Sequence, residues 1–349
     1  MTHAPSRARD IGLACGRFPP GKRNLISDVP GVTVGHRTIL DGDIRTGVTA
    51  ILPHGGDIFR DRPLAASHVL NGFGKSVGLM QVDELGQLET PILLTNTLSV
   101  STCANALIRR AIAANPRIGR QTSTVNPVVC ECNDGYLNDI QALALTEADA
   151  LAALDGAGAD FAVGAVGAGA GMSCFGFKGG IGSASRQVVL DGAVFHVGTL
   201  VLANFGRAGD LTLPDGRVVT PSGILAAERG SVVVPELGSV IVVVATDVPL
   251  EYRQLQRVIR RAGAGLARVG SFYGHGSGDV FLGFTTANRT PHDAASDLLA
   301  MRAIAEGRID RLFEAVAEAT QEAVLDALAA SPSTTGRAGH FRPGLAGLL

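Results

Sequence analysis

Eight short apolar runs punctuate the chain, at residues 48–53, 91–96, 126–131, 161–166, 185–190, 195–204, 239–246 and 279–286, each flanked by turn-forming residues. They are too short for average helices and rich in Val, Ile, Leu and Phe, so they read as strands buried on one or both faces. Several follow one another with no helical pattern between them. That order favours an α+β fold over a doubly wound parallel sheet. Helical spacing is confined to a few places. Leu255, Val258, Ile259, Ala262, Leu266 and Val269 line one face of residues 253–270. Ile309, Leu312, Phe313, Val316, Ala323, Val324 and Leu328 do the same over 307–331. Thr146, followed by Glu147 and Asp149, marks a helix start.

The 349 residues suffice for one large domain or two ordinary ones, and with no repeat and no long polar linker a single catalytic domain is expected. The 45 glycines are interleaved with the apolar runs, which implies many turns and close backbone approaches. Residues 205–237 are the least regular stretch and read as a mobile loop. Residues 331–349, rich in Gly, Pro and Ser, read as an irregular surface extension.

Charge and cysteine usage exclude several functions. A net charge of −2 with scattered Lys and Arg leaves no electrostatic footprint for nucleic acid or a membrane surface. No run of about 18 apolar residues suggests a membrane span, and the first fifteen residues lack a signal core, so a cytoplasmic protein is expected. Five cysteines in so long a chain fit a reducing compartment. Cys130 and Cys132 stand one residue apart, too close for a zinc hairpin, and the eight histidines show no metal-binding spacing.

Familiar motifs fail on inspection. Gly74-Lys75-Ser76 lacks the upstream glycine of a phosphate loop, because Val69 occupies that place. Residues 167–172 carry Met172 where a dinucleotide fingerprint needs its third glycine. No serine sits in a nucleophile elbow, and His275, beside residues 276–279, is the one histidine retained as a candidate base.

One junction stands out. Gly238-Ser239 sits between two Val-rich stretches, where a buried strand should simply begin. It is either a turn, ordinary chemistry after Pro-Glu-Leu, or a place where the chain is cut. Cleavage would make Ser239 a chain terminus whose own α-amine, with an ordinary pKa of about 7.7–8, can take the hydroxyl proton. Glycine before the cut leaves the carbonyl open to attack.

Residues 24–36 (NLISDVPGVTVGH), 132–139 (CNDGYLND), 166–186 (VGAGAGMSCFGFKGGIGSASR), 238–250 (GSVIVVVATDVPL) and 276–284 (GSGDVFLGF) together resemble the DmpA-type aminopeptidases. That family includes L-aminopeptidase/D-esterases and β-peptidyl aminopeptidases, and the blocks follow its order over nearly the whole chain. The resemblance implies a four-layer αββα sandwich like that of the N-terminal-nucleophile hydrolases, without a cofactor. It implies self-cleavage between Gly238 and Ser239 into chains 1–238 and 239–349, and an acyl-enzyme on Ser239. Ser277 and Asp279 match the residues that orient the nucleophile, with Asp279 standing where some members have the longer Glu. Asn204 matches the oxyanion-hole amide, Tyr136 a tyrosine near the nucleophile, and Glu131 the acid that pairs with the substrate ammonium. Lys178 lies in a matched block with no implied role. Short peptides, amino-acid amides or esters are the implied substrates, and a tetramer of two-chain units the implied assembly.

Each position also has a plainer reading: a strand-entry turn for 277–279, a strand-end cap for Asn204, a half-buried aromatic for Tyr136 and a salt-bridge partner for Glu131. Two rivals stand beside the hydrolase. Ornithine acetyltransferases have a related fold but cut before a threonine, and an uncleaved paralogue would bind small amines without turnover.

Overall fold

The structure is a computed structural model that describes residues 6–221 and 237–349. The run at 239–246 is apolar at successive positions because both its faces are covered. Val240, Val242 and Val244 pack into one core, whereas Ile241, Val243 and Ala245 pack into another on the opposite side.

Those two cores separate the layers. The first sheet holds β1 (Thr33–Asp41), β2 (Ile44–Leu52), β4 (Ile92–Asn96) and β5 (Val128–Cys132) in the order β1-β2-β4-β5. The second holds β3 (Asp61–Gly72), β8 (Gly180–Leu190), β9 (Ala193–Asn204), β12 (Leu237–Thr246) and β13 (Gly276–Pro291) in the order β3-β13-β12-β9-β8. Ile51, Ile92, Leu94 and Val128 of the first sheet meet Leu200, Leu202, Ile241 and Leu282 of the second. Helices α2 (Val100–Ala114) and α3 (Glu147–Asp155) cover the outer face of the first sheet through Cys103, Leu107, Ala150 and Leu154. Helices α4 (Tyr252–Ile259), α5 (Ala262–Arg268) and α6 (Asp310–Ala329) cover the second. This is the expected αββα sandwich. A seven-residue helix, α1 (Leu79–Leu85), and three two-residue ladders complete the described α-helices and strands: β6 (Ser173–Cys174) with β7 (Phe177–Lys178), β10 (Leu211–Thr212) with β11 (Val218–Val219), and β14 (Thr334–Thr335) with β15 (Phe341–Arg342).

Close approach explains part of the glycine usage. A Cβ on Gly182 of β8 would stand 1.8 Å from the Ala323 carbonyl, so only glycine lets α6 lie this close to the sheet. Helix α6 is buried nearly all round, yet it carries Glu318, Glu322 and Asp326. Fully buried Arg186 bonds Glu322 at 2.8 Å and Glu318 at 3.2 Å, while Arg9 and Arg7 reach Glu322 and Asp326 at 2.6 Å. Burial acts to raise the Glu322 carboxyl pKa, but Arg9 and Arg186 hold it below its ordinary value. The ion pairs therefore lash the first described residues onto α6, and α6 through Arg186 onto the second sheet.

Several expectations need correction. Residues 161–166 form no strand, because Gly164 adopts φ +94° and passes against the Ala330 carbonyl, which a Cβ there would approach to 2.5 Å. The 253–270 helix breaks at Arg260–Arg261 into α4 and α5. Strands β1 and β3 and helix α2 were not marked by apolar runs. The final residues are no loose extension: the β14–β15 hairpin docks onto the turn after β5, with the Arg337 amide donating to the Leu137 carbonyl at 2.9 Å. Of the irregular loop, residues 205–221 include the β10–β11 ladder, and 222–236 lie outside the described residues.

Candidate active site

Gly238 and Ser239 are the second and third residues of β12, a central strand of the second sheet, so the chain passes this junction extended rather than turning. Ser239 is level with Asn204 on β9 and Gly278 on β13. A Cβ on Gly238, at φ +156°, would stand 2.2 Å from the Asn204 carbonyl oxygen and 2.9 Å from the Phe205 Cα. Glycine is thus required immediately before the serine. The Ser239 hydroxyl, only 4% exposed, donates to the Gly238 carbonyl at 2.6 Å. Gly278 makes room for it: a Cβ there would lie 3.1 Å from Ser239 Oγ and 2.6 Å from the Phe73 carbonyl oxygen.

Ser239 opens into a cavity of about 410 Å³ that it shares with Asn204, Glu131, Tyr136, Phe73 and Arg342. Asn204 is fixed at both ends of its amide: Oδ1 accepts from the Ser173 amide at 2.9 Å, and Nδ2 donates to the Asn133 carbonyl at 3.0 Å. Glu131, on β5, is buried at the cavity wall and accepts from the Lys75 amide at 2.8 Å and from the Thr97 hydroxyl. Tyr136 follows β5 in the next turn. Its ring is stacked on His340, 4.6 Å between centroids, and carries the Arg342 guanidinium 3.7 Å from its centre. Four of the expected site residues, Ser239, Asn204, Tyr136 and Glu131, therefore meet around one space.

Ser277 and Asp279 do not line that space. Both are fully buried on β13, and the Ser277 hydroxyl donates to Asp279 Oδ1 at 2.7 Å. Register partners share a face, and Ser239 is level with Gly278, so its two neighbours project to the other side of the sheet, the side of Val240 and Phe281. They stand on the far side of the sheet from the Ser239 side chain rather than in the cavity. His275 also lies outside the lining, with its ring 6.5 Å from that of Phe73.

Lys178 has a structural explanation. Its fully buried ammonium donates to the carbonyls of Gly169, Met172 and Gly179 at 2.8, 3.0 and 2.8 Å. Burial pushes its pKa down to about 7, with nearby Asp134 opposing the shift. Three carbonyl acceptors use all three ammonium hydrogens, which favours the charged form. The Cys130 thiol, beside Glu131, is pushed up to about 12 by burial, and no disulfide joins the described cysteines. Among the described residues no cluster of His, Cys, Asp and Glu is arranged to hold a metal, and no helix is long and apolar enough to cross a membrane.

Sequence reasoning missed Gly278 as space for Ser239, Ser173 and Asn133 as the clamps on Asn204, and Arg342. Gly278, Ser173 and Asn133 lay within the blocks at 276–284, 166–186 and 132–139 without a role of their own, whereas Arg342 lay in none. All four become neighbours of the site through folding.

Two face-packed sheets between helical layers, with a glycine–serine step at the head of a central strand opening into a polar cavity, define a hydrolase of the N-terminal-nucleophile type. The profile of peptidase family S58 matches residues 24–342. The β-peptidyl aminopeptidase BapA of Sphingosinicella microcystinivorans is 36% identical over 355 residues, covering 96% of this chain and 88% of the relative. A β-aminopeptidase of Burkholderia sp. superposes with a TM-score of 0.87 at 39% identity, covering 97% of this chain and 96% of the other. The L-aminopeptidase D-Ala-esterase/amidase of Ochrobactrum anthropi, described as a prototype for the serine aminopeptidases and a variant of the Ntn hydrolase fold, superposes at 0.87 with 35% identity, covering 97% and 95%. The chain belongs to peptidase family S58, and it is a serine aminopeptidase.

Proposed function

We propose that the chain cuts itself between Gly238 and Ser239 and that the freed Ser239 is the nucleophile of the aminopeptidase. The observation that carries this is the fit at the head of β12. The residue before the serine admits no side chain, and the serine hydroxyl lies against the carbonyl it would attack. Attack of Oγ on the Gly238 carbonyl carbon forms an O–C bond. The C–N bond then breaks, and the proton passes to the Ser239 nitrogen. Water splits the resulting ester, leaving chains 1–238 and 239–349. In turnover the new α-amine accepts the Oγ proton as the hydroxyl attacks a substrate carbonyl, and that proton goes to the leaving amine or alkoxide. Water then resolves the acyl-enzyme.

The rest of the cavity suits this chemistry. Asn204 Nδ2 spends one hydrogen on Asn133 and offers the other to the oxyanion, where such a donor contributes about 10²–10³ in rate. Glu131, already held by Lys75 and Thr97, takes the substrate's free ammonium and leaves N-blocked substrates with a buried carboxylate unpaired. The Tyr136 hydroxyl serves the amine or the substrate. The Ser277–Asp279 pair fixes β13 against the nucleophile and stabilises positive charge on the new amine from beneath. Short peptides, amides and esters with a free amine are the substrates, including the β-amino-acid peptides that the named relatives suggest. A tetramer of two-chain units fits the exposed apolar side chains Met80 and Leu298, 88% and 86% exposed, and the buried thiols fit the cytoplasm.

Intact mass and N-terminal sequencing of purified protein test the reading. Wild type should give two chains, the smaller starting at Ser239, while Ser239→Ala should remain one inactive chain. An active wild type that stays uncut sinks the proposal.

A further inference from the structure

The cavity carries charges of both signs. Among the described residues that line it, Glu131 is the one carboxylate, and Lys75 and Arg342 are the cations. The two cations are differently placed. Lys75 stands at the Glu131 end, since its own amide holds that carboxylate, and its ammonium rests 4.5 Å from the centre of the exposed Phe73 ring. Arg342 lies on another wall, over Tyr136.

That arginine is held in place by an elaborate mount. It ends the β14–β15 ladder, whose hairpin is tied to the turn after β5 at several points. Arg337 Nε donates to the Gly135 carbonyl at 2.7 Å, its amide donates to Leu137 at 2.9 Å, and His340 Nδ1 donates to the Tyr136 carbonyl at 2.7 Å. A Cβ on Gly336 would lie 2.1 Å from the Leu137 carbonyl oxygen, so the hairpin is pressed onto that turn. The Tyr136 ring then packs against both the His340 ring and the guanidinium. A planar guanidinium carries its N–H groups in a fork, the geometry that matches a carboxylate.

We propose that Arg342 binds the free α-carboxylate of the leaving amino acid, so that the enzyme reads short peptides, dipeptides above all, at both ends. The proposal rests on the aminopeptidase reading of the same cavity: Glu131 takes the ammonium, Ser239 attacks between, and Arg342 takes the far terminus. A space of about 410 Å³ has room for a dipeptide. The anchor separates substrates that the nucleophile alone would treat alike. A free-acid dipeptide gains a charge-assisted pair, whereas its C-terminal amide, or an aminoacyl anilide, gains none.

The test is the ratio of kcat/KM for a dipeptide to that for its own C-terminal amide, measured on fully processed enzyme. Wild type should prefer the free acid. Arg342→Gln should reduce the ratio by about tenfold to a hundredfold, the loss expected of a charge-assisted pair. Arg342→Lys, which keeps the charge but loses the fork, should fall between, and it carries the test if Arg342→Gln fails to process. An equal effect on both substrates, or none on either, overturns the carboxylate anchor while leaving the aminopeptidase reading intact. A processed wild type that cleaves neither the dipeptide nor its amide overturns both.

Discussion

Replacing Gly278 with alanine tests the placement of Ser239, the proposed nucleophile, without altering that residue. The new methyl would stand 3.1 Å from Ser239 Oγ and 2.6 Å from the Phe73 carbonyl oxygen. The second contact is with backbone, so it cannot be relieved by rotating a side chain. Carbon and carbonyl oxygen ordinarily keep more than 3 Å apart, and either the 72–74 segment or β13 must give by roughly half an ångström. Gly278 pairs with Gly72 on one side and Ser239 on the other, so movement of β13 passes directly to the serine. A misplacement of about 1 Å can cost a hundredfold in rate, and half of that should slow both self-cleavage and turnover about tenfold, with KM little changed. The strain should also lower stability by about 1–3 kcal/mol. The assay follows the appearance of the two chains on a denaturing gel and, in the processed fraction, the hydrolysis of aminoacyl anilides. Gly307→Ala, at a glycine with no atom within 4 Å of its missing Cβ, is the control. A Gly278→Ala protein that cuts itself and turns over at the rates of the control would refute the assignment of Ser239 as the residue accommodated by that gap.

Two further predictions concern stability. His36 is held neutral, with Nε2 donating to the Ala162 carbonyl at 3.0 Å and Nδ1 accepting from Thr49 at 2.9 Å, and burial lowers its pKa to about 4. Its unfolded value is about 6.5, so its contribution is complete above that pH and is lost as pH falls towards 4. Wild type should lose about 2 kcal/mol more than His36→Gln between pH 7 and pH 4.5 in urea unfolding, and identical slopes would count against it. Lys178→Met should cost about 2 kcal/mol or more, because the carbonyls of Gly169 and Met172 lose a buried donor. A melting temperature equal to that of wild type would show that those carbonyls find other partners.

Local pattern recorded burial faithfully wherever a segment was covered on both sides. The Val-rich β12 and the runs within β2, β4, β5, β9 and β13 were legible because a doubly buried strand has to be apolar at nearly every position. Thr146 announced α3, and its hydroxyl does accept from the Asp149 amide. Strand β1 hid because only Val34 and Gly35 are fully buried, and Arg37, Thr38 and Asp41 interrupt the apolar pattern. The 161–166 run misled because its hydrophobic residues pack around a glycine crossing rather than along a ladder.

The sequence by itself determined which segments must leave water, and with them an α+β fold, and it marked Gly238-Ser239 as an anomaly in a strand; the four layers were implied by the family resemblance. Only the tertiary structure decided what surrounds that serine. Glu131 and Tyr136 come from the first sheet's edge, Asn204 from a neighbouring strand of the second, and Arg342 from the last residues of the chain. It also turned Ser277 and Asp279 to the far side of β13 and gave Gly278 its purpose. Side-chain periodicity reports whether an element is buried but carries no record of which other element covers it. A cavity assembled from strand ends and turns is therefore specified only when the two sheets close on one another.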